Sequence, residues 1–173
     1  MDGSQILKDK VVLVVDDEPD VLDTVADILS TCLVTKAGDY DTARQYLMSM
    51  TYDIVILDIM GVNGFELLKI SVKRGFPTVM LTAYALSPDA LEKSIRLGAV
   101  SFLPKEKMSQ LEDFLADVVL EGNQPAWGRL FHKLGDLFNK RFGPDWMARN
   151  RFFQEFESAM RKSQIADKDA DGQ

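Results

Sequence analysis

The sequence predicts an α/β fold: five β-α units in succession, forming a doubly wound, parallel five-stranded sheet, followed by a short α-helical extension. Three observations predict it. Short continuous apolar runs recur through the first two thirds of the chain, and runs of this length suit strands buried on both faces of a parallel sheet. Each run is followed by apolar residues at helical spacing, and strands alternating with helices imply right-handed crossovers with helices on both faces. After residue 122 the runs stop, and only helical, strongly aromatic stripes remain.

The first strand is the run VVLVV, Val11–Val15. A helix follows Pro19, a residue tolerated in a first helical turn, with Val21, Leu22, Val25, Ile28 and Leu29 as its stripe. The second run, Leu33–Ala37, is weaker. Its helix carries Ala43, Tyr46, Leu47 and Met50 after Asp39 and Asp41, two cap candidates. The third strand is IVIL, 54–57, followed by a helix with Phe65, Leu67, Leu68 and Val72 after Gly64. The fourth is TVML, 78–81, followed by a helix that opens at Ser87-Pro88 and stops at Gly98. A fifth short run, 101–103, leads to the stripe Leu111, Phe114, Leu115, Val118 and Val119.

Gly122-Asn123-Gln124-Pro125 reads as a boundary. The expected division is residues 1–122 as the main domain, 123–163 as a helical hairpin, and 164–173 as a disordered polar tail. In the hairpin, Trp127, Leu130, Phe131, Leu134, Leu137, Phe138 and Phe142 follow helical spacing. Gly143-Pro144-Asp145 breaks it, and Trp146, Met147, Asn150, Phe153, Phe156 and Met160 form a second stripe.

Composition removes several function classes. A chain of 173 residues fits one domain plus an appendage. One cysteine, Cys32, excludes an intrachain disulfide framework and a thiolate zinc site. One histidine, His132, excludes His-rich metal centres. No apolar run approaches the ~20 residues that span a bilayer, and the N-terminus lacks a basic segment followed by an apolar stretch, so a cytoplasmic location without membrane contact is expected. The net charge of −7 divides unevenly: residues 1–122 carry −9 and residues 123–173 carry +2. Phosphates are met by Lys and Arg, so the acidic part is a poor nucleic-acid binder, and the weakly basic hairpin makes DNA an unfavoured target.

In a doubly wound sheet, ligands bind beyond the carboxyl ends of the strands. The first strand ends in Asp16-Asp17-Glu18, the third in Asp58 and the fourth in Thr82, and the fifth runs into Lys105. Crowded carboxylates repel, and a hard divalent cation such as Mg²⁺ relieves that repulsion. An Asp can attack phosphorus to form an aspartyl phosphate, whose oxygens then need compensation from a cation, a lysine and a hydroxyl. Each of those parts is present.

On the motifs VVLVVDDEPDV, DIVILDIM followed by GFELL, VMLTA and GAVSFLPK, residues ~10–121 resemble the receiver domain of two-component response regulators, a flavodoxin-like fold. The resemblance implies that Asp58 accepts a phosphoryl group from a histidine kinase or histidine phosphotransfer protein. It implies that Asp17, Asp58 and the backbone carbonyl of Met60 hold Mg²⁺, with Asp16 acting through a bound water. It further implies that Lys105 contacts a phosphoryl oxygen, that Thr82 moves its hydroxyl onto the phosphoryl group, and that Phe102 is the aromatic switch residue coupled to Thr82. Such a protein is a regulatory phosphoacceptor and not an enzyme acting on other substrates.

The chain departs from that family in three places, one of them a trimmed loop into the fourth strand at Arg74-Gly75-Phe76-Pro77. The stretch Ile59-Met60-Gly61-Val62-Asn63-Gly64 is roughly two residues shorter than usual and lacks its Pro, and Glu106 stands where the family commonly has Pro. The leading expectation is a phosphorylation-activated switch acting through protein contacts with an unidentified downstream partner. The helical hairpin packs on the main domain, docks a target or forms a homodimer through a four-helix bundle. The alternatives are a receiver-like interaction module that works without phosphotransfer and a transcriptional regulator binding DNA through the hairpin. A Mg²⁺-dependent phosphohydrolase is disfavoured, because Met60 occupies the position of its second catalytic Asp. An exposed His132 is expected to be a solvated surface residue, since its surroundings match a phosphotransfer histidine motif poorly.

Overall fold

The five apolar runs become parallel strands of a single sheet in the computed structural model, which describes the backbone of residues 2–83, 86–122 and 124–171 and their side chains up to residue 162. In chain order the elements are α1 (Gly3–Ile6), β1 (Val11–Val15), α2 (Pro19–Ile28), β2 (Leu33–Ala37), α3 (Tyr40–Ser49), β3 (Ile54–Asp58) and α4 (Gly64–Lys73). They continue with β4 (Thr78–Thr82), α5 (Pro88–Arg96), β5 (Ser101–Pro104), α6 (Leu111–Leu120), α7 (Trp127–Phe142) and α8 (Arg151–Asp171). A 3-10 helix, Lys105–Gln110, joins β5 to α6. Among the described residues no helix is long and apolar enough to cross a membrane.

The strand order is β2-β1-β3-β4-β5. The chain leaves β1 for one side, returns, and builds β3, β4 and β5 on the other, so the winding reverses between β1 and β3 and opens a crevice at their carboxyl ends. Every residue of β3, β4 and β5 is buried, as are four of five in β1. Successive strand residues point to opposite faces, so burial of both parities means that helices cover both sides of the sheet. The edge strand β2 is largely exposed or half-buried, which is why its run is the weakest in the sequence.

Local chemistry starts and stops the helices. Asp39 Oδ1 accepts from the Thr42 N–H at 2.8 Å and Ser87 Oγ from the Ala90 N–H at 3.1 Å, so each side chain satisfies one orphan donor of a helix start. Pro19 and Pro88 occupy the first turns of α2 and α5. Gly98, at φ +98, accepts the left-handed turn after α5. Helix α1 is not evident from periodicity: it is four residues long, capped by Asp2, and leads to the buried Leu7.

The chain divides into two compact units, residues 1–130 and 131–173. The division falls beyond the Gly122–Pro125 break because the first turn of α7 is tied into the first unit. The Ala126 N–H donates to the Val100 carbonyl at 2.8 Å. Arg129 pairs with Asp117 at 3.2 Å and with Glu121 at 2.7 Å, and Trp127 and Leu130 are buried.

The second unit is a helical hairpin with an aromatic interior. Phe138, Trp146 and Phe153 are buried; Trp146 stands 6.1 Å from Phe138 and 4.8 Å from Phe153 between ring centroids. The Trp146 indole N–H donates to Asn139 Oδ1 at 3.1 Å, which satisfies the one polar group of that ring. His132 is exposed, as the helical spacing predicts. The expected polar tail differs from the structure: the backbone stays helical to Asp171, because no Gly or Pro interrupts it until Gly172. Residues 172–173 lie outside those described.

Ending the chain after Gly122 is therefore expected to give a less stable first unit than ending it after Leu130. Loss of two large buried side chains and the Arg129 pair predicts a difference of about 3 kcal/mol, measured by urea denaturation. Equal midpoints for the two truncations would show that the first turn of α7 contributes nothing to this unit.

Candidate functional site

Register brings the chemistry to one edge. Val15 pairs with Leu57 across β1 and β3, so the next residue of each strand, Asp16 and Asp58, arrives at the same carboxyl end. Asp58 pairs with Leu81, which places Thr82 one residue further along β4, and Thr82 pairs with Pro104, which puts Lys105 just beyond β5. Glu18 is the cap residue of α2, yet its side chain makes no capping hydrogen bond and turns toward Lys105.

One ammonium serves several carboxylates. Lys105 Nζ lies 2.7 Å from Asp16 Oδ2, 3.5 Å from Glu18 Oε1 and 3.6 Å from Asp58 Oδ2. Asp16 is fully buried and Asp58 nearly so. Asp16 Oδ1 accepts from the Glu18 N–H at 2.9 Å. Lys105 approaches Asp16 Oδ2 off the hydrogen-bond axis, so that buried oxygen has a nearby charge but no aligned donor.

The charge imbalance shows in the proton affinities. Burial, then the charge of Asp16, push Asp58 up to about 7 against the pull of Lys105, and Asp17 adds to the rise. Burial also raises Asp16, although Lys105 and the Glu18 N–H oppose it. Burial alone would lower Lys105, but its close contact with Asp16 and the charges of Asp58, Asp16 and Glu18 outweigh it and hold the ammonium above the ordinary lysine range. These directions agree: a single cation shared among several anions is over-stabilised, while each buried anion remains under-compensated.

The residues fit a hard divalent cation. Carboxylate oxygens of Asp16, Asp17 and Glu18 lie within 4.8 Å of one another, hard oxygen donors are what such a cation takes, and the under-bonded oxygen of Asp16 is the kind of atom it would satisfy. Asp17 is exposed, so the cluster opens to solvent on that side.

The connection from β3 to α4 is short and pinned. Ile59 and Val62 bury their side chains, Met60 leaves its own 57% exposed, and Asn63 adopts a left-handed φ of 53° before the helix starts. Gly64 lies directly against the Asp58 carbonyl, where a Cβ would collide with the backbone.

Asp16, Asp58 and Lys105 are thus brought together, and Thr82 is buried at the same strand ends. Phe102 is wholly buried opposite Met80, inside the sheet's packing. Glu106 is exposed on the 3-10 helix. Glu18 ends the run Asp16-Asp17-Glu18 but takes no assigned role from the sequence. A carboxylate just before a helix reads as a cap, and only the direction of its side chain reveals that it joins the cluster.

Comparison with known proteins agrees with this geometry. The family model of the response regulator receiver domain matches residues 12–116. The curated two-component response regulator ARR2 of Arabidopsis thaliana is 36% identical over 133 residues, which cover 73% of this chain and 20% of that protein. The chain thus spans about a fifth of the length of that relative. A CheY-like receiver domain protein from Methanospirillum hungatei aligns with a TM-score of 0.60 at 24% identity, covering 66% of this chain and 96% of that one. NtrX from Brucella abortus aligns with a TM-score of 0.59 at 30% identity, covering 76% of this chain and 29% of that one.

The raised Asp58 sets a pH dependence. A carboxyl group with a folded value above its unfolded one contributes stability that is present below the unfolded value and lost as pH rises through the folded one. With chelator present, the wild type is expected to lose stability as pH rises from the ordinary carboxylate range through about 7. Asp58→Asn should flatten that loss and exceed wild type by about 2 kcal/mol at pH 8 in chemical denaturation. An unchanged pH profile would place the strained charge elsewhere.

Proposed function

Because the chain belongs to the response regulator receiver domain family, we propose that it is a phosphorylation-operated switch with Asp58 as its phosphoacceptor. One observation supports this above the rest: a buried carboxylate at the end of the central strand β3 faces a lysine 3.6 Å away, beside an acidic cluster. The receiver family is regulatory, and the chemistry proposed is limited to gaining and losing one phosphoryl group.

The donor in this reading is a phosphohistidine on a histidine kinase or histidine phosphotransfer protein. A carboxylate oxygen of Asp58 attacks phosphorus, the N–P bond breaks, and its electron pair leaves with the imidazole, giving an acyl phosphate on Asp58. Asp17, Asp58 and the Met60 carbonyl would hold Mg²⁺, with Asp16 acting through water and Glu18 at the rim; when bound, the ion supplies positive charge that offsets the phosphoryl oxygens. Lys105 is drawn from its carboxylates onto a phosphoryl oxygen, and Thr82 offers its hydroxyl to another. Phe102, already buried, contributes to the switch by packing. The new charge on Asp58 thereby shifts Lys105 and β4, a local electrostatic event that biases the protein between two arrangements. Output passes by protein contact, with the helical hairpin as the surface that meets a downstream protein or a second copy of this chain.

Intact-protein mass after incubation with acetyl phosphate tests the reading. One phosphoryl adduct is expected on the wild type with Mg²⁺, and none with chelator or on Asp58→Asn. An Asp58→Asn protein that carries the adduct at the wild-type level would overturn the assignment. A wild type without an adduct, even from a phosphorylated histidine donor, would favour an interaction module that works without phosphotransfer. Lys105→Ala is expected to remain folded but to form the adduct about tenfold more slowly or worse; an undiminished rate would remove Lys105 from the chemistry.

A further inference from the structure

The loop between β3 and α4 holds a feature that the phosphoacceptor reading does not use. Its five residues, 59–63, are anchored twice, by the buried side chains of Ile59 and Val62. Between the anchors stands Gly61, at φ +84. Its bare α-carbon packs against the carboxylate of Asp17. A Cβ added there would stand 2.5 Å from Asp17 Cγ and 2.7 Å from Oδ1, and closer still to Oδ2, so the whole carboxylate occupies the space a side chain would need.

We infer that Gly61 is a positioning residue for divalent-cation binding: the missing side chain lets the Asp17 carboxylate lie over the loop backbone, within the acidic cluster. The physical argument concerns which group yields. The loop is pinned on both sides of Gly61 by buried apolar side chains. Asp17 is exposed, and its carboxylate is the end of a rotatable arm. A Cβ at position 61 therefore displaces the carboxylate and leaves the loop in place. The consequence falls on cation affinity, with little effect on the fold. The inference rests on the cation-dependent reading above and adds to it a residue that contributes no ligand atom from its side chain.

Gly75 provides an internal control. Its φ is +82, almost that of Gly61, but nothing lies within 4 Å of the position a Cβ would take. Gly75→Ala therefore carries the same backbone strain without the collision.

The experiment is isothermal titration calorimetry of the full chain with MgCl₂, for wild type, Gly61→Ala, Gly75→Ala, Asp17→Ala and the double variant Asp17→Ala/Gly61→Ala. Gly61→Ala should bind about tenfold more weakly than wild type or worse, the loss typical when a group that orients a metal ligand is disturbed. Gly75→Ala should stay within about twofold of wild type, and the double variant should match Asp17→Ala, because the two sites act through one carboxylate. Gly61→Ala binding as tightly as Gly75→Ala, or a further loss in the double variant, overturns the inference while leaving the phosphoacceptor reading intact. A wild type with no Asp17-dependent Mg²⁺ binding overturns the cation reading and the inference with it. If Gly61→Ala is unstable beyond Gly75→Ala in thermal denaturation, removing the opposing carboxylate by Asp17→Ala should restore it; failure to restore also overturns the inference.

Discussion

A single ammonium group, that of Lys105, stands among carboxylates that the fold would otherwise drive apart. Like charges about 4 Å apart repel by about 4 kcal/mol at an effective dielectric constant of 20. Lys105 offsets only part of that for Asp16, Glu18 and Asp58. The remainder is held in place by the strands beneath. Val12–Val15 in β1 and residues 54–57 in β3 are fully buried, so the backbone that carries the carboxylates has nowhere to relax. Apolar burial, which is non-directional and large in sum, thus maintains an electrostatic arrangement that is unfavourable by itself. The same imbalance makes the site responsive to any added charge, because a cation or a phosphoryl group changes which anions Lys105 must serve.

Strands and loops divide the work. Asp58, Thr82 and Lys105 sit at or just beyond strand ends, and paired register fixes their relative heights to within a residue. Asp17 and Glu18 lie on the solvent side, where side chains have freedom to move. Rigid placement suits a buried carboxylate and its counter-charge. Adjustable arms suit ligands of a cation that must enter and leave, provided that something like the bare backbone at Gly61 sets where those arms can rest.

The two compact units differ in what stabilises them. The first is a sheet with both faces covered. The second draws its interior from aromatic rings, with Trp146 central to contacts that reach Phe131, Phe138, Phe142 and Phe153. Offset and edge-to-face ring pairs add directional preference to burial, which helps a hairpin of limited size keep one packing. The aromatic stripes that the sequence displays are thus largely spent inside the hairpin. His132 is on its outside.

The strands, their order along the chain and the helices between them were legible because continuous apolar runs and helical spacing are local signals. Asp39, Ser87 and Gly98 acted at the helix ends as their chemistry predicts. The meeting of Asp58, Lys105 and Thr82 at one sheet edge was legible because strand ends converge in any doubly wound sheet. Helix α1 and the 3-10 turn after Lys105 were not, since elements this short have no periodicity. The helical backbone that continues to Asp171 is likewise not evident from the polar composition there. The unit division at Leu130 was decided by a hydrogen bond to Val100 and an ion pair to Asp117, both long-range. Glu18's turn toward Lys105, the rise of Asp58 to about 7 and the fit of Gly61 against Asp17 belong to the tertiary structure alone. By itself the sequence determined which groups reach the site; only the folded structure decided how strongly they act on one another, because Coulomb energy and steric overlap depend on distance and burial, and neither is set by local sequence.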